Sequence, residues 1–215
     1  MKVYAAILAG LLSAGCSGIP TDIPGASLRA ASKGSILHSI RDEVNQYFSQ
    51  SAQECLNEVV DMELHFSWFF EKPPHGAIYA LHPNGLKIVG ISEDNLKPDR
   101  AIELAFHERL HHLVRCKNIL NRQAFMEMYE GMDPRYSIKN KVEDFLQKPP
   151  YSETTDKKEE RFVLLVQLWA WQSYALPPGM EDYLAKFINM EMVRERQERL
   201  AARQIQLINN SMRLP

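Results

Sequence analysis

Residues 77–115 read AIYALHPNGLKIVGISEDNLKPDRAIELAFHERLHHLVR, and the change from β to helical periodicity inside this stretch decides the fold class. Two short β-rich runs, 77–82 and 86–91, flank Pro83-Asn84-Gly85. Asn-Gly is the favoured pair for a tight type I′ turn, whose central residues both need positive φ, so a hairpin is expected here. A polar connection follows. Pro98 and Asp99 then mark a helix start, where a missing N–H does no harm and a negative charge meets the positive end of the helix dipole. The helix is expected to run from Pro98 through Arg115, with Lys117 close to its negative end.

Working outward, Ile36, Leu37, Ile40, Val44, Tyr47 and Phe48 recur at spacings of three and four, the pattern of an amphipathic helix. This helix is expected to extend towards 56–60. The aromatic run ELHFSWFF (63–70) ends at Lys72-Pro73-Pro74 and is expected to be a strand. Downstream, NRQAFMEMYEGM (121–132) suggests a short helix stopped by Gly131. The segment 133–156 is expected to be mostly irregular, with a short helix at 138–146. KKEERFVLLVQLWAWQSYAL (157–176) has the composition of a buried helix ended by Pro177-Pro178-Gly179, and a last helix covers about 180–209. This order describes an α+β domain with a small mixed or antiparallel sheet and further C-terminal helices.

With 215 residues, 45% hydrophobic and 24% charged, the chain has ordinary globular composition and can bury one core, tails aside. A formal charge of −2 offers no electrostatic case for a nucleic-acid partner. Arg194, Arg196, Arg199 and Arg203 cluster near the C-terminus, but Glu191, Glu195 and Glu198 interleave with them, as on a solvated helix face.

The first residues stand apart. MKVYAAILAGLLSAGC has an early lysine, an apolar run over 3–12 and small residues leading to Cys16. A run this short suits a signal-peptide core, whereas a membrane anchor needs about 20 apolar residues. LSAGC resembles a bacterial lipobox, with Ser13 where the pattern usually has leucine and Leu12 one place further back. The resemblance implies a signal peptide at 1–15, lipid on Cys16 and a tether at 16–35, rich in Gly, Ser, Pro and Ala. A plain secretory signal with an incidental cysteine is the alternative. Ser17 after the cysteine implies an outer-membrane lipoprotein facing the periplasm. The domain proper is then 36–215. Export also leaves Cys55 and Cys116 in an oxidising compartment, where a disulfide is permitted; two separately buried thiols are the alternative.

The chemistry lies in His107-Glu108-Arg109-Leu110-His111, which spells H-E-x-x-H. Residues four apart are neighbours on one helix face, so His107 and His111 can present two imidazoles to one ion. Zinc accepts neutral imidazole nitrogen, and a catalytic site leaves a position for water. Glu108, beside the first ligand, suits the general base that takes a proton from that zinc-bound water. Arg109 departs from the uncharged residues usual between the glutamate and the second histidine. His112 points about 100° away from His111 and is a poor ligand for the same ion; it is expected to bond Glu108 or to face solvent.

At this point the chain resembles the zincin metallopeptidases. The resemblance implies a small sheet whose edge strand borders a substrate cleft, with the HExxH helix beneath it. The metzincin extension is absent, since Val114 and Lys117 stand at its glycine and third-histidine positions. EERFVLLVQLWAW is similar to the third-ligand helix of lethal-factor-like gluzincins. That similarity implies Glu160, 49 residues beyond His111, as the third zinc ligand, with Glu159 as the alternative and Glu143 a more distant one. It also implies an oxyanion-stabilising hydroxyl shortly before the ligand, a place comparable to that of Tyr151, although the spacing differs from the family's pattern. The expected function is a Zn2+-dependent metallopeptidase acting on a peptide or protein substrate, anchored to membrane through Cys16. A non-enzymatic envelope lipoprotein with a degenerate or incidental HExxH is the alternative.

Overall fold

A computed structural model describes residues 26–64, 76–81, 85, 87–92, 95, 97–116, 120–149, 151–154 and 156–211. The expected signal peptide, the first part of the tether at 16–25 and residues 65–70 of the expected aromatic strand lie outside them. The chain forms two compact units, one comprising Met1–Asn45 and Gln53–Leu113, the other Gln46–Ala52 and Val114–Pro215. The fold is α+β. No helix among the described residues is long and apolar enough to cross a membrane.

The first unit contains α1 (Ala26–Asn45), α2 (Gln50–Leu56) from Gln53 onward, β1 (Val59–Leu64), β2 (Ala77–Leu81), β3 (Lys87–Ser92) and α3 (Pro98–Arg115) through Leu113. Its three strands form a mixed sheet in the order β1-β3-β2. β1 runs parallel to β3, with Asp61 opposite Val89, and β2 antiparallel to it, with Tyr79 opposite the same residue. β3 takes the centre because Ile88, Val89 and Ile91 form a nearly continuous apolar run, which suits a strand covered on both faces. Gly85 has φ +87, the left-handed conformation that the Asn-Gly pair supplies.

Three expectations change here. The strands are antiparallel as expected, but Leu81 pairs with Lys87, which leaves residues 82–86 between them where a type I′ turn leaves two. Val59 and Val60, expected to continue a helix, belong to β1. Their β-branched side chains restrict χ1 in a helix and suit a pleated surface, and both pair with β3. Finally, α1 begins at Ala26, inside the expected tether, where Ala26, Ala30 and Ala31 are the best helix formers and no proline intervenes.

α3 matches its expected bounds. Leu104, Ala105, Phe106, Leu110 and Leu113 are all buried, so the middle of this helix is enclosed on nearly every side. Each such leucine or phenylalanine contributes about 1.5–3 kcal/mol of transfer free energy. Cys55 and Cys116 are both disulfide-bonded, the outcome an oxidising compartment permits.

The second unit is helical. α4 (Arg122–Glu130) is capped by the Asn121 side chain, which accepts from the Ala124 N–H. α5 (Ser137–Leu146) buries Ile138, Val142 and Leu146, spaced by four along one face. A 3-10 turn spans Tyr151–Glu153. α6 (Lys157–Gln172) starts at Asp156, whose carboxylate accepts from the Glu159 N–H, and buries almost all of its residues from Phe162 to Trp171. α7 (Pro178–Leu184) and α8 (Met190–Ser211) complete the unit, with α5 and α8 both packed on α6.

Two expectations are corrected in this unit. α6 ends at Gln172, before the prolines, because Ser173 turns left-handed at φ 56 and breaks the hydrogen-bond ladder. The single last helix is two. Residues between them pair with the 46–52 segment: Ser49 N–H donates to Phe187 O and Asn189 N–H to Tyr47 O, each at 2.9 Å. Backbone groups so engaged cannot continue a helix.

Candidate metal centre

One turn of α3 brings together His107, Glu108 and His111. The Nε2 atoms of the two histidines lie 3.3 Å apart and their rings meet at 67°. Two nitrogens bound to one tetrahedral zinc at 2.0–2.1 Å stand about 3.3 Å from each other. One ring can also donate to the other across this distance, and the same spacing fits a shared cation when both nitrogens are deprotonated. His107 and Glu108 are 4% and 5% exposed. A carboxylate at that depth keeps its charge only through hydrogen bonds or a nearby cation.

The two unusual neighbours in the motif find structural partners. Arg109 is 1% exposed and turns to the other side of the helix. Its Nη2 donates to Asp61 Oδ2 at 2.6 Å and its Nε to Asn45 Oδ1 at 3.2 Å. Burial pushes the guanidinium below its ordinary value, and the Asp61 charge opposes that shift.

His112 is buried, which corrects the expectation that it would face solvent. Its Nε2 lies 3.3 Å from the Cys55 carbonyl oxygen and its Nδ1 2.9 Å from the Tyr79 hydroxyl. A carbonyl only accepts, so in the neutral ring Nε2 carries the proton and Nδ1 accepts from Tyr79. His112 thus links α3 to β2 and to the end of α2.

The other candidates belong to the second unit. Glu160 sits in the first turn of α6, half-buried, with Oε1 accepting from the Thr154 hydroxyl at 3.5 Å. Glu159, beside it, is buried and receives Arg115 and Arg122 at 3.3 and 3.2 Å. Glu143 accepts from Arg161 and from the Tyr129 hydroxyl, both at 2.8 Å. The Arg161 hydrogen bond, the largest influence, holds the Glu143 carboxyl below its ordinary range. Arginines thus already occupy Glu159 and Glu143, and their charge opposes a second cation. Tyr151 lies on the 3-10 turn with its ring edge-on to Phe145.

Asp61, Asn45 and Tyr79, which hold α3 from three elements, drew no notice in the sequence. Of these only Asp61 leaves a trace there, one of two acidic residues in the run 59–64. His38 forms an exposed pair with Asp42, and His65, His75 and His82 lie outside the described residues. Compared with protein-family models, curated proteins and solved structures, the chain matches none.

Proposed function

We propose that the protein is a zinc-dependent metallopeptidase of the zincin class. His107 and His111 hold the ion, Glu160 is the third ligand and Glu108 is the general base. The observation that carries this reading is the 3.3 Å spacing of two imidazole nitrogens on a buried helix, with a carboxylate next to the first. Bound zinc supplies a Lewis acid that makes water more acidic and a carbonyl more electrophilic.

The chain's own residues do the rest. His107 and His111 offer neutral nitrogens from a helix whose middle is buried on nearly every side. Glu108 accepts the proton of the attacking water and passes it to the leaving amine. The hydroxyl of Tyr151 donates to the oxygen on which negative charge develops. The substrate is a peptide or protein, and the enzyme works outside the cytoplasm, held by lipid on Cys16 at the periplasmic side of an outer membrane.

Chelation tests this directly. Incubating the purified chain with a strong chelator is expected to abolish hydrolysis of an unfolded protein substrate, and added zinc to restore it. Hydrolysis that survives complete metal removal would overturn the reading.

The choice between neighbouring carboxylates has its own expected result. Glu159→Gln breaks two ion pairs with half-exposed arginines and is expected to cost about 1–2 kcal/mol while zinc content stays unchanged. Glu160→Gln is expected to lower zinc content with a smaller loss of stability. Metal analysis beside a thermal melt checks both, and the opposite pattern would move the ligand to Glu159.

A further inference from the structure

Arg109 is the largest fully buried side chain of the described residues, and it sits within the metal-binding motif itself. Successive helix residues are rotated by about 100°, so His107 and His111 lie about 40° apart on one face and Arg109 about 180° from their midpoint. Behind the histidine pair, its guanidinium reaches two different elements, Asp61 on β1 and Asn45 at the end of α1. Among the described residues, Arg109 Nη1 and Asp61 Oδ1 have no hydrogen-bond partner.

A buried, half-satisfied ion pair is a poor way to gain stability. Desolvation offsets most of the attraction, and apolar residues of similar volume often do as well or better. What the pair supplies is direction. Apolar contacts constrain a helix only by shape, whereas a planar guanidinium bonded to two fixed acceptors resists rotation of the helix about its axis. Side chains reach roughly 5–6 Å from that axis, so a rotation of about 10° moves an imidazole nitrogen by about 1 Å. Misplacement on that scale is enough to cost about 10²-fold in a reacting site.

We propose that Arg109, Asp61 and Asn45 are positioning residues that lock the rotation of α3 and so aim His107, Glu108 and His111. This rests on the zinc-binding reading above. The pair acts from behind the helix and touches neither ligand nor base through the guanidinium bonds described.

The test uses the full chain and the double variant Arg109→Met with Asp61→Leu, which removes both charges and leaves neither unpaired. Zinc affinity is read by competition with a chromophoric chelator, next to a thermal melt. The expected result is a melting temperature equal to or above that of the wild type, with zinc binding weaker by roughly 10–100-fold, the range that groups supporting metal ligands are worth. In the same variant kcat is expected to fall while KM is kept.

Wild-type zinc affinity in the folded double variant would overturn the proposal and leave the pair purely structural. Should the double variant not fold, Arg109→Lys keeps the charge but loses the fork; zinc binding weakened several-fold supports the proposal, and unchanged binding overturns it. A wild-type chain that binds no zinc overturns the metallopeptidase reading itself, and the proposal with it.

Discussion

Replacing Glu108 with glutamine is expected to leave a folded chain that still binds zinc but hydrolyses peptide substrate about 10²–10⁴-fold more slowly. That range is the usual contribution of a positioned general base. Glutamine matches the shape of the side chain, so the buried site around residue 108 keeps its packing. What disappears is the oxygen that can accept a proton. The loss should appear in kcat and kcat/KM together, since the interaction is made in the transition state. Activity within a few-fold of wild type, with the melt unchanged, would remove Glu108 from the mechanism.

The largest expected effect on stability comes from breaking, rather than replacing, the buried pair behind the motif. Asp61→Ala strands a guanidinium that is 1% exposed, with only Asn45 among its described partners remaining. Removing one member of such a pair costs about 3–5 kcal/mol, because the remaining charge is left desolvated. For a chain of this size that corresponds to a fall of roughly 6–20 °C in melting temperature. The whole stability of a domain is about 5–15 kcal/mol, so the variant is expected to express poorly as well. A melting temperature within about 2 °C of wild type would show that water reaches Arg109. Arg109→Met alone is expected to behave similarly by stranding the Asp61 carboxylate.

Glu108 and Arg109, adjacent in sequence, show how unevenly the site can be read from the chain. Glu108 and the two histidines were legible because helical geometry alone, four residues to slightly more than a turn, puts them together. α3 was legible for the same local reasons: a proline and an acid at its start, and apolar residues that recur until Arg115. The hairpin strands announced themselves through Asn84-Gly85, although the pairing of Leu81 with Lys87 takes the connection away from the two-residue form.

Arg109 was not legible. A charge on a helix reads as solvated until its partner is known, and Asp61 lies 48 residues earlier on a strand. His112 is the same case, its partner Tyr79 being 33 residues away on β2. β1 was obscured because its pairing with β3 is parallel and non-local, and because Val59 and Val60 follow directly on an apolar helical run. At the far end, the break between α7 and α8 is made by hydrogen bonds to residues 46–49, which no pattern within 178–211 contains.

The proposed third ligand sits between these extremes. Glu159 and Glu160 are equal in the sequence, both in the first turn of a helix. The two arginines on Glu159 separate them, and Arg115 and Arg122 are far enough away in the chain that composition gives no hint.

The central claim is that His107 and His111 face a single metal ion. Its most direct test is elemental analysis of the purified chain, wild type beside His111→Ala, after loading with zinc and exhaustive dialysis against metal-free buffer. One zinc per wild-type chain is expected, and a small fraction of that in a His111→Ala protein whose circular dichroism shows the same helix content. A wild-type chain without stoichiometric zinc, or a His111→Ala chain that keeps it, would contradict the account.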